Sequence, residues 1–365
     1  MHWERGLFAR QAHVSAPSGT FEEEHGRQGF DGRASELYHL RPPTSWKHID
    51  GPLHLHAFDT NTLGDGRTPL LMSYEPYRLG RGIVVSIDVY DTSPDHYRRN
   101  ADADELHFVH AGSGVVETDY GDLTYRPGDY VYLPRGTTAR FVPEAPTHAF
   151  VIEAIGDELG LPPRGPLGRH AVTDPAMFDV PEPNPRDERV DVEVRVQARG
   201  ETTRFVFNHH PLDVVGWRGD LAPMRLNVEA IRPVVAERYH LPPPVHATFQ
   251  GRESIVATLV PRPTENSDET MVVPYYHRNA EYDEVMFFHT AAMNRPGIGA
   301  GWMRWNPMGV THGRTFGAVQ REVNRELPDR HTEIMVMLDT RFALDATPAA
   351  STIEWDEYWT QWTIE

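Results

Sequence analysis

The sequence contains no cysteine. This absence excludes disulfides, thiolate zinc sites, iron–sulfur clusters and cysteine nucleophiles. No apolar run approaches the ~20 residues that a membrane-spanning helix needs. The first residues, MHWERGLFARQAHV, also lack the apolar centre of a signal peptide. We therefore expect a cytoplasmic protein that has no membrane partner.

Positive charge is also scarce, because 35 Lys and Arg residues face 53 Asp and Glu residues, for a formal net charge of −18. Such a surface repels phosphate backbones, so nucleic acid is excluded as a partner. Hydrophobic residues make up 39% of the chain, which is enough for folded cores. The length of 365 residues indicates two domains at ~100–200 residues each.

Turn-forming residues are plentiful, with 31 prolines and 29 glycines between short apolar runs. This pattern predicts an all-β protein. An internal repeat divides it into two units. RRNADADELHFVHAG at 98–112 is repeated as HRNAEYDEVMFFHTA at 277–291, and LPRGTTARF at 133–141 is repeated as NPMGVTHGR at 306–314. Each unit combines alternating strands, hairpin turns and a Pro-x-Gly turn, so we predict two jelly-roll barrels.

The predicted domains are an N-terminal barrel with an extension at 1–160, a linker at 161–200 and a C-terminal barrel at 201–365. The linker prediction depends on seven prolines between 161 and 191, because proline removes sheet hydrogen bonds. The aromatic residues at 355, 358, 359 and 362 have helical spacing, which predicts a short C-terminal helix docked on the body.

Comparison of the two repeats locates a metal site. The second unit has His277, Glu284 and His312 where the first has Arg98, Glu105 and Ala139. Because the first unit lacks both imidazoles, we expect no metal there. Two imidazoles and one carboxylate leave open positions on the metal and are typical of non-haem iron(II) oxygenases. Asp283 is the alternative carboxylate, although strand alternation directs it to the opposite face.

These residues resemble the two cupin motifs, and around them the chain resembles homogentisate 1,2-dioxygenase. PYYHRN at 274–279, DVVGWRG at 213–219 and WDEYW at 355–359 carry the resemblance. It implies a cupin fold, Fe(II), dioxygen and a small aromatic substrate, and a trimer-based homo-oligomer. The chain departs from the family at Asn306, where the family has His, and near Met293, where it has Tyr. These departures indicate a divergent paralogue whose substrate is not homogentisate itself.

Several residues are candidates for substrate contacts. By the resemblance, His246 matches an active-site His that acts as a base, and a solvated loop histidine is the competing interpretation. Asn279, Arg304 and Asn306 are candidate anchors for a carboxylate or hydroxyl. Tyr276 is a candidate substrate contact or a core aromatic residue.

A second histidine pair, His54 and His56, would lie on one face of a strand. No Glu follows it at the cupin spacing, so we do not assign a metal there.

Three hypotheses remain at this stage. The first is an iron(II) ring-cleaving dioxygenase that acts on a hydroxylated aromatic acid such as homogentisate or gentisate. The second is an iron(II) oxidase or oxygenase of another small molecule in a specialised biosynthetic pathway. The third is a non-enzymatic bicupin that binds a metal or ligand. Retention of the whole ligand triad in one unit favours an enzyme.

Overall fold

The computed structural model describes residues 3–239, 241–265, 267, 270–271, 275–292, 295–315, 317–319 and 328–363. Strands dominate these residues and the helices among them are short, so the all-β prediction is confirmed. Within the same residues, no helix has the length and apolar character needed to cross a membrane.

The strands of the described residues are β1 Phe21–Gln28, β2 Asp31–His39, β3 His56–Asp59, β4 Gly66–Ser73, β5 Gly82–Tyr90, β6 Tyr97–Asn100, β7 Ala103–Thr118, β8 Gly121–Tyr125, β9 Asp129–Leu133, β10 Thr138–Ile155, β11 Val192–Ala198, β12 Glu201–Phe207, β13 Met224–Asn227, β14 Ala247–Gln250, β15 Ser254–Leu259, β16 Arg262–Pro263, β17 Tyr276–Asn279, β18 Asp283–Phe288, β19 Trp302–Asn306, β20 Arg330–His331, β21 Met335–Thr340 and β22 Leu344–Ala346. The α-helical turns are α1 Pro76–Leu79 and α2 Pro348–Ser351. The 3-10 helices are Thr60–Thr62, Gly165–Leu167, Pro175–Met177, Val228–Ala230, Pro243–His246 and Tyr358–Trp362.

An eleven-stranded sheet contains the first repeat, with the order β12-β11-β6-β10-β5-β4-β22. The long strand β7 pairs with β10, β8 and β9, and β13 pairs with β9. Strand β9 and most of β5 are buried on both faces, whereas β12 at the end of the sheet is mostly exposed. Strand β11 begins inside the predicted linker, and the proline-rich residues before it form two of the 3-10 helices.

The second repeat is built into a six-stranded sheet of order β14-β15-β21-β18-β19-β3, a three-stranded sheet β17-β1-β2 and a two-stranded sheet β16-β20. Strand β1 runs parallel to β17, and β3 is antiparallel to β19. The first 60 residues therefore complete the sheets of the second unit. Strands β1 and β3, which fall in the predicted N-terminal domain, pair with strands of the predicted C-terminal domain. The domain boundaries stay predictions.

The two Pro-x-Gly turns occupy equivalent places in the two units. The amide of Gly136 donates to the carbonyl of Asn100 at 2.7 Å, and the amide of Gly309 donates to that of Asn279 at 2.8 Å. Both glycines have a positive φ, of 92° and 80°, which residues other than glycine rarely adopt. Each turn thus brings the strand after it beside the strand that begins the repeat.

The predicted short C-terminal helix is present as a 3-10 helix. The C-terminal residues first form a bridge to β3, where Glu354 pairs with Phe58, and then a 3-10 helix at Tyr358–Trp362. Tyr358 and Trp362 are fully buried in the core of the second unit, together with Met286 and Phe288. A short 3-10 helix is sufficient to anchor this segment, because burial of these two rings holds it in place. A long amphipathic face is not needed.

Candidate metal centre

The predicted metal ligands converge at one place in the second unit. His277 lies in β17, Glu284 lies in β18, and His312 follows the Pro-x-Gly turn. The Nε2 atom of His277 is 3.9 Å from Glu284 Oε2, and the Nε2 atom of His312 is 3.5 Å from Oε1. All three residues are buried, and their ligand atoms lie close enough to hold one metal ion.

Both imidazoles are fixed in one orientation by the backbone. The Nδ1 atom of His277 donates to the carbonyl of Tyr275, and that of His312 donates to the carbonyl of Val310, both at 2.9 Å. This tautomer leaves the two Nε2 lone pairs facing Glu284. Both Nε2 atoms are buried and have no hydrogen-bond partner among the described residues, an arrangement that costs free energy unless a ligand satisfies them. The residues therefore fit a divalent transition metal.

The charges at the site also suit a metal. Burial would raise the pKa of Glu284, but His312 and His277 outweigh burial and hold this pKa well below its usual value. Burial and the neighbouring His277 lower the pKa of His312, so that imidazole is neutral at pH 7. Asp339 lies opposite Glu284 across β18 and β21, and burial with the Glu284 charge raises its pKa well above its usual value. The site thus presents one charged carboxylate ligand beside a neutral imidazole.

Asp283 is engaged elsewhere. Its carboxylate accepts hydrogen bonds from the amide of Met308 at 2.6 Å, the amide of Leu344 at 2.8 Å and the indole of Trp305 at 3.2 Å. In the first unit, Asp104 likewise accepts the amide of Arg135 in its Pro-x-Gly turn. Asp283 therefore stabilises the turn, and Glu284 is the carboxylate that lies beside the two imidazoles.

A cavity of about 120 Å³ opens at the triad. At ~10–15 Å³ for each water molecule, it has room for several waters or a small organic molecule. Most of its wall is apolar, with Phe30, Pro243, Leu259, Met286, Phe288, Ala292, Met335 and Met337. Polar and charged side chains converge on it beside this apolar wall, which is typical of a site for a small ligand.

Three arginines lie in the cavity wall, Arg262, Arg295 and Arg304, and each is buried. Arg304 donates to Asn306 Oδ1 at 3.2 Å, and Asn306 Nδ2 donates to Glu284 Oε1 at 2.6 Å. The Nε atom of Arg304 is buried without a hydrogen-bond partner in the described part of the chain. Because two carboxylates of the wall face three guanidinium groups, the cavity favours an anionic ligand.

The structure brings only part of the predicted substrate set to this cavity. Arg304 and Asn306 line it, but Tyr276 and Asn279, although buried, do not. Tyr275 lines the cavity instead, because alternate residues of a strand share a face and His277 is two residues further on. Strand alternation applied to His277 could have identified Tyr275 from the sequence.

The predicted base, His246, is buried at the end of the 3-10 helix Pro243–His246. Its burial rules out the competing interpretation as a solvated loop residue. Pro243 lines the cavity and His246 does not, and the role of His246 as a base stays a prediction. Met293, which matches the place of the family's Tyr, lies outside the described residues.

The cavity residues that were not predicted include Phe30, Arg262, Arg295, His331 and Glu333. Phe30 comes from the turn between β1 and β2, and its ring lies 4.6 Å from that of His277. No local pattern in the sequence indicates these residues, since they reach the cavity through pairings between distant segments.

Two other groups contain potential ligands. Glu354 joins His54 and His56, but it accepts a hydrogen bond from His56 Nδ1 at 2.6 Å, and the His56 ring stacks on Trp305. His56 and Glu354 therefore form a hydrogen-bonded pair.

The second group contains His13, whose two ring nitrogens contact Glu22 and Glu24 at 2.9 and 2.7 Å. An imidazole that donates from both nitrogens is a cation and has no lone pair for a metal.

In the first unit, guanidinium groups take the place of the metal. Arg98 and Arg67 each donate to Glu105 Oε1 at 2.6 Å, and Arg98 pairs with Ala139 across β6 and β10 as His277 pairs with His312. Burial would raise the pKa of Glu105, but the two arginines lower it well below its usual value. The equivalent carboxylate is thus neutralised without metal.

Comparison with known proteins shows which family the sequence resembles. The family model described as the N-terminal part of homogentisate 1,2-dioxygenase matches residues 73–228. A homogentisate 1,2-dioxygenase of Bradyrhizobium diazoefficiens is 27% identical over 82% of this chain and 68% of its own length. The chain is thus similar to the homogentisate 1,2-dioxygenases over most of its length. A candidate dioxygenase of Saccharolobus solfataricus is also 27% identical, over 93% of this chain and 92% of its own length.

Solved structures give weaker likenesses. A cupin barrel protein from Leptotrichia buccalis has a TM-score of 0.37 and 9% identity over 78% of this chain and 95% of its own. An oxalate decarboxylase has a TM-score of 0.38 and 12% identity over 84% of this chain and 81% of its own. These likenesses are too low to carry an argument about function.

Proposed function

We propose that this chain is an iron(II)-dependent dioxygenase that cleaves the ring of a hydroxylated aromatic acid. The observation that carries the proposal is the convergence of His277, Glu284 and His312 on one point of a mostly apolar cavity. The relatives named as dioxygenases support the same reaction class. Two imidazoles and a carboxylate suit iron(II) and leave positions free for other ligands.

The three ligands would hold the iron(II), which supplies electron transfer between the aromatic substrate and dioxygen. The protein's own residues do the remaining work. Asn306 donates to Glu284 and so orients that carboxylate. The apolar wall excludes bulk water, which strengthens the electrostatic interactions inside the cavity.

Arg304 is our candidate anchor for the substrate carboxylate. Its side chain is buried and lines the cavity, and its Nε donor has no hydrogen-bond partner among the described residues. A carboxylate bound there would receive a charge-assisted hydrogen bond, which is stronger than a neutral one. An aromatic acid is therefore favoured over the corresponding neutral phenol.

Metal analysis combined with oxygen uptake tests this function. The purified protein is loaded with iron(II) and screened with homogentisate, gentisate and related diphenols, and the products are examined by mass spectrometry after reaction with ¹⁸O₂. We expect a ring-opened product that contains both labelled oxygen atoms. Oxidation without ring opening would indicate the oxidase alternative, and no oxygen uptake with any acid would indicate a binding protein.

Arg304→Met provides a second test. It should raise the KM for the active acid at least about tenfold, because a charge-assisted contact contributes roughly 1.5–3 kcal/mol. The KM for the methyl ester of the same acid should change little. An equal effect on acid and ester would show that Arg304 does not bind the carboxylate.

A further inference from the structure

His331 and Glu333 form a pair in the wall of the metal cavity that the proposed function does not yet use. His331 ends β20 and is 3% exposed. Its Nδ1 atom lies 3.4 Å from Glu333 Oε1. Its Nε2 atom is buried and has no hydrogen-bond partner in the described residues. Both residues line the same cavity as the triad.

The pair differs from an ordinary buried histidine. A structural imidazole usually donates to a backbone carbonyl, as His277 and His312 do. His331 instead has only a carboxylate beside Nδ1. Burial would raise the pKa of Glu333, but His331 outweighs burial and lowers it, so this carboxylate is charged at pH 7. The Glu333 carboxylate, 3.4 Å from Nδ1, makes a charge contact longer than a hydrogen bond. This contact favours the tautomer in which Nε2 carries the lone pair and stabilises the imidazolium once Nε2 is protonated.

We propose that His331 accepts the proton of a substrate hydroxyl and that Glu333 positions it for this step. The inference rests on the proposed function, because it requires a hydroxylated aromatic ligand in the cavity. The O–H bond breaks, the proton moves to Nε2 of His331, and the oxygen keeps the electron pair as a phenolate. His331 thus has the role that the sequence analysis gave to His246, which does not line the cavity.

The charged groups around His331 have opposite effects on a positive charge at this residue. Arg262 is its partner across β16 and β20 and lies on the same wall, so this guanidinium disfavours a second positive charge on His331. Glu333 opposes Arg262, and the nearby Glu265 also interacts with Arg262. Arg295 and Arg304 complete the positive wall and favour a phenolate in the cavity. The proton transfer therefore replaces a neutral hydroxyl and imidazole by an ion pair that the surrounding charges favour.

A nitrophenol that carries a carboxylate tests the inference without turnover. The probe is 4-hydroxy-3-nitrophenylacetate, whose visible absorption reports ionisation of its hydroxyl. It is titrated into the full chain loaded with zinc, which is redox-inert, at a pH below the pKa of the free probe. We expect wild-type protein to bind the phenolate. His331→Gln and Glu333→Gln should still bind the probe but raise the pKa of its bound hydroxyl by at least about one unit, a tenfold change in ionisation.

The outcomes separate the inference from the proposed function. His289→Gln, a change at a partly buried histidine that is absent from the cavity wall, is the matched control and should leave the bound spectrum unchanged. If both cavity variants bind the phenolate as wild type does, or if His246→Gln alone abolishes the phenolate band, the inference is wrong while the function stands. Wild-type protein that fails to bind the probe and takes up no oxygen with any aromatic acid contradicts both. Should His331→Gln not fold, as judged by circular dichroism, Glu333→Gln decides the matter.

Discussion

His277 and His312 form a closed backbone pair in which the amide of each donates to the carbonyl of the other, at 3.0 and 2.9 Å. Their ring centroids are 4.1 Å apart. Two ligands that are distant in the sequence are therefore held by one small bridge of main-chain hydrogen bonds. Because these bonds do not involve the side chains, the geometry of the site does not depend on either imidazole.

The first prediction follows from this pair. His277→Ala or His312→Ala should lose the metal while the fold persists, because each removes a ligand and leaves the backbone bridge. Loss of a residue that merely supports a ligand costs ~10–100-fold in metal affinity, so loss of a ligand should cost at least about 100-fold. The check is metal content after gel filtration, with circular dichroism for the fold. His210→Ala, at a buried histidine that contacts Tyr97 of the first unit, is the control. Stoichiometric iron in either ligand variant would show that the assignment is wrong.

The second prediction concerns the first unit, which should bind no metal. Arg98 and Arg67 already neutralise Glu105. We expect about one metal per chain, and a second metal at high occupancy would contradict this.

Removal of the buried partner of Glu105 in Arg67→Ala should destabilise the fold by about 3 kcal/mol, since breaking a buried ion pair leaves an uncompensated charge. Urea unfolding measures this loss, and Arg204→Ala, at an exposed arginine, should have little effect.

The sequence was sufficient for the triad because its ligands belong to local patterns. Glu284, Met286 and Phe288 lie at alternate positions of one strand and share the cavity face. The turn before His312 has a glycine with a positive φ, and the repeat shows which positions correspond. It was not sufficient for the cavity wall. Phe30 and His331 come from segments that reach the site only through the pairing of β1 with β17 and of β16 with β20. Such non-local pairing leaves no periodic signal in the chain.

The third prediction is a loss of stability at alkaline pH. Burial alone would lower the pKa of His13, but hydrogen bonds to Glu22 and Glu24 raise it to about 9. Burial raises the pKa of Glu36 in the same cluster to about 8. Both pKa values lie above those of the unfolded chain, so the stability that these protons contribute is full at low pH and is lost as pH rises through 8–9.

We therefore expect the free energy of unfolding to fall by about 2–3 kcal/mol between pH 6.5 and pH 9.5. Urea unfolding across this range provides the measurement. The variant His13→Gln should be less stable at pH 6.5 and should show a flatter dependence, while His209→Gln, at an exposed histidine, should follow wild type. A wild-type curve that stays flat to pH 9.5 would disprove the role of this cluster.

The fourth prediction is that the protein is a homo-oligomer. Strand β12 lies at one end of the eleven-stranded sheet, and Phe205 and Val206 on it are 46% and 55% exposed. An open edge with exposed apolar side chains needs a cover. Light scattering at micromolar concentration should detect an oligomer, and Val206→Lys should weaken it, whereas Val180→Lys, on an exposed site away from the edge, should not. A monomeric wild-type protein would count against the prediction.

The fifth prediction is that homogentisate is a poor substrate. The family has a His where this chain has Asn306, and here both ends of that amide are engaged, one with Glu284 and the other with Arg304. An amide cannot transfer a proton near neutral pH. The wall opposite is apolar, with Met286, Phe288, Met335 and Met337. A polar hydroxyl of homogentisate at this end would have no hydrogen-bond partner. Where a site requires that hydrogen bond, its loss lowers kcat/KM by ~10⁴-fold or more.

Oxygen uptake with homogentisate and with a series of less polar aromatic acids measures this preference. We expect kcat/KM for homogentisate to be at least about 100-fold below that for the preferred acid. Asn306→His should raise turnover of homogentisate if the missing imidazole is the cause, and Asn306→Asp, which supplies no imidazole, is its matched control. Efficient turnover of homogentisate by the wild-type chain would refute the prediction, because it would mean that Arg304 or the His331–Glu333 pair supplies the contacts that the family obtains from its histidine.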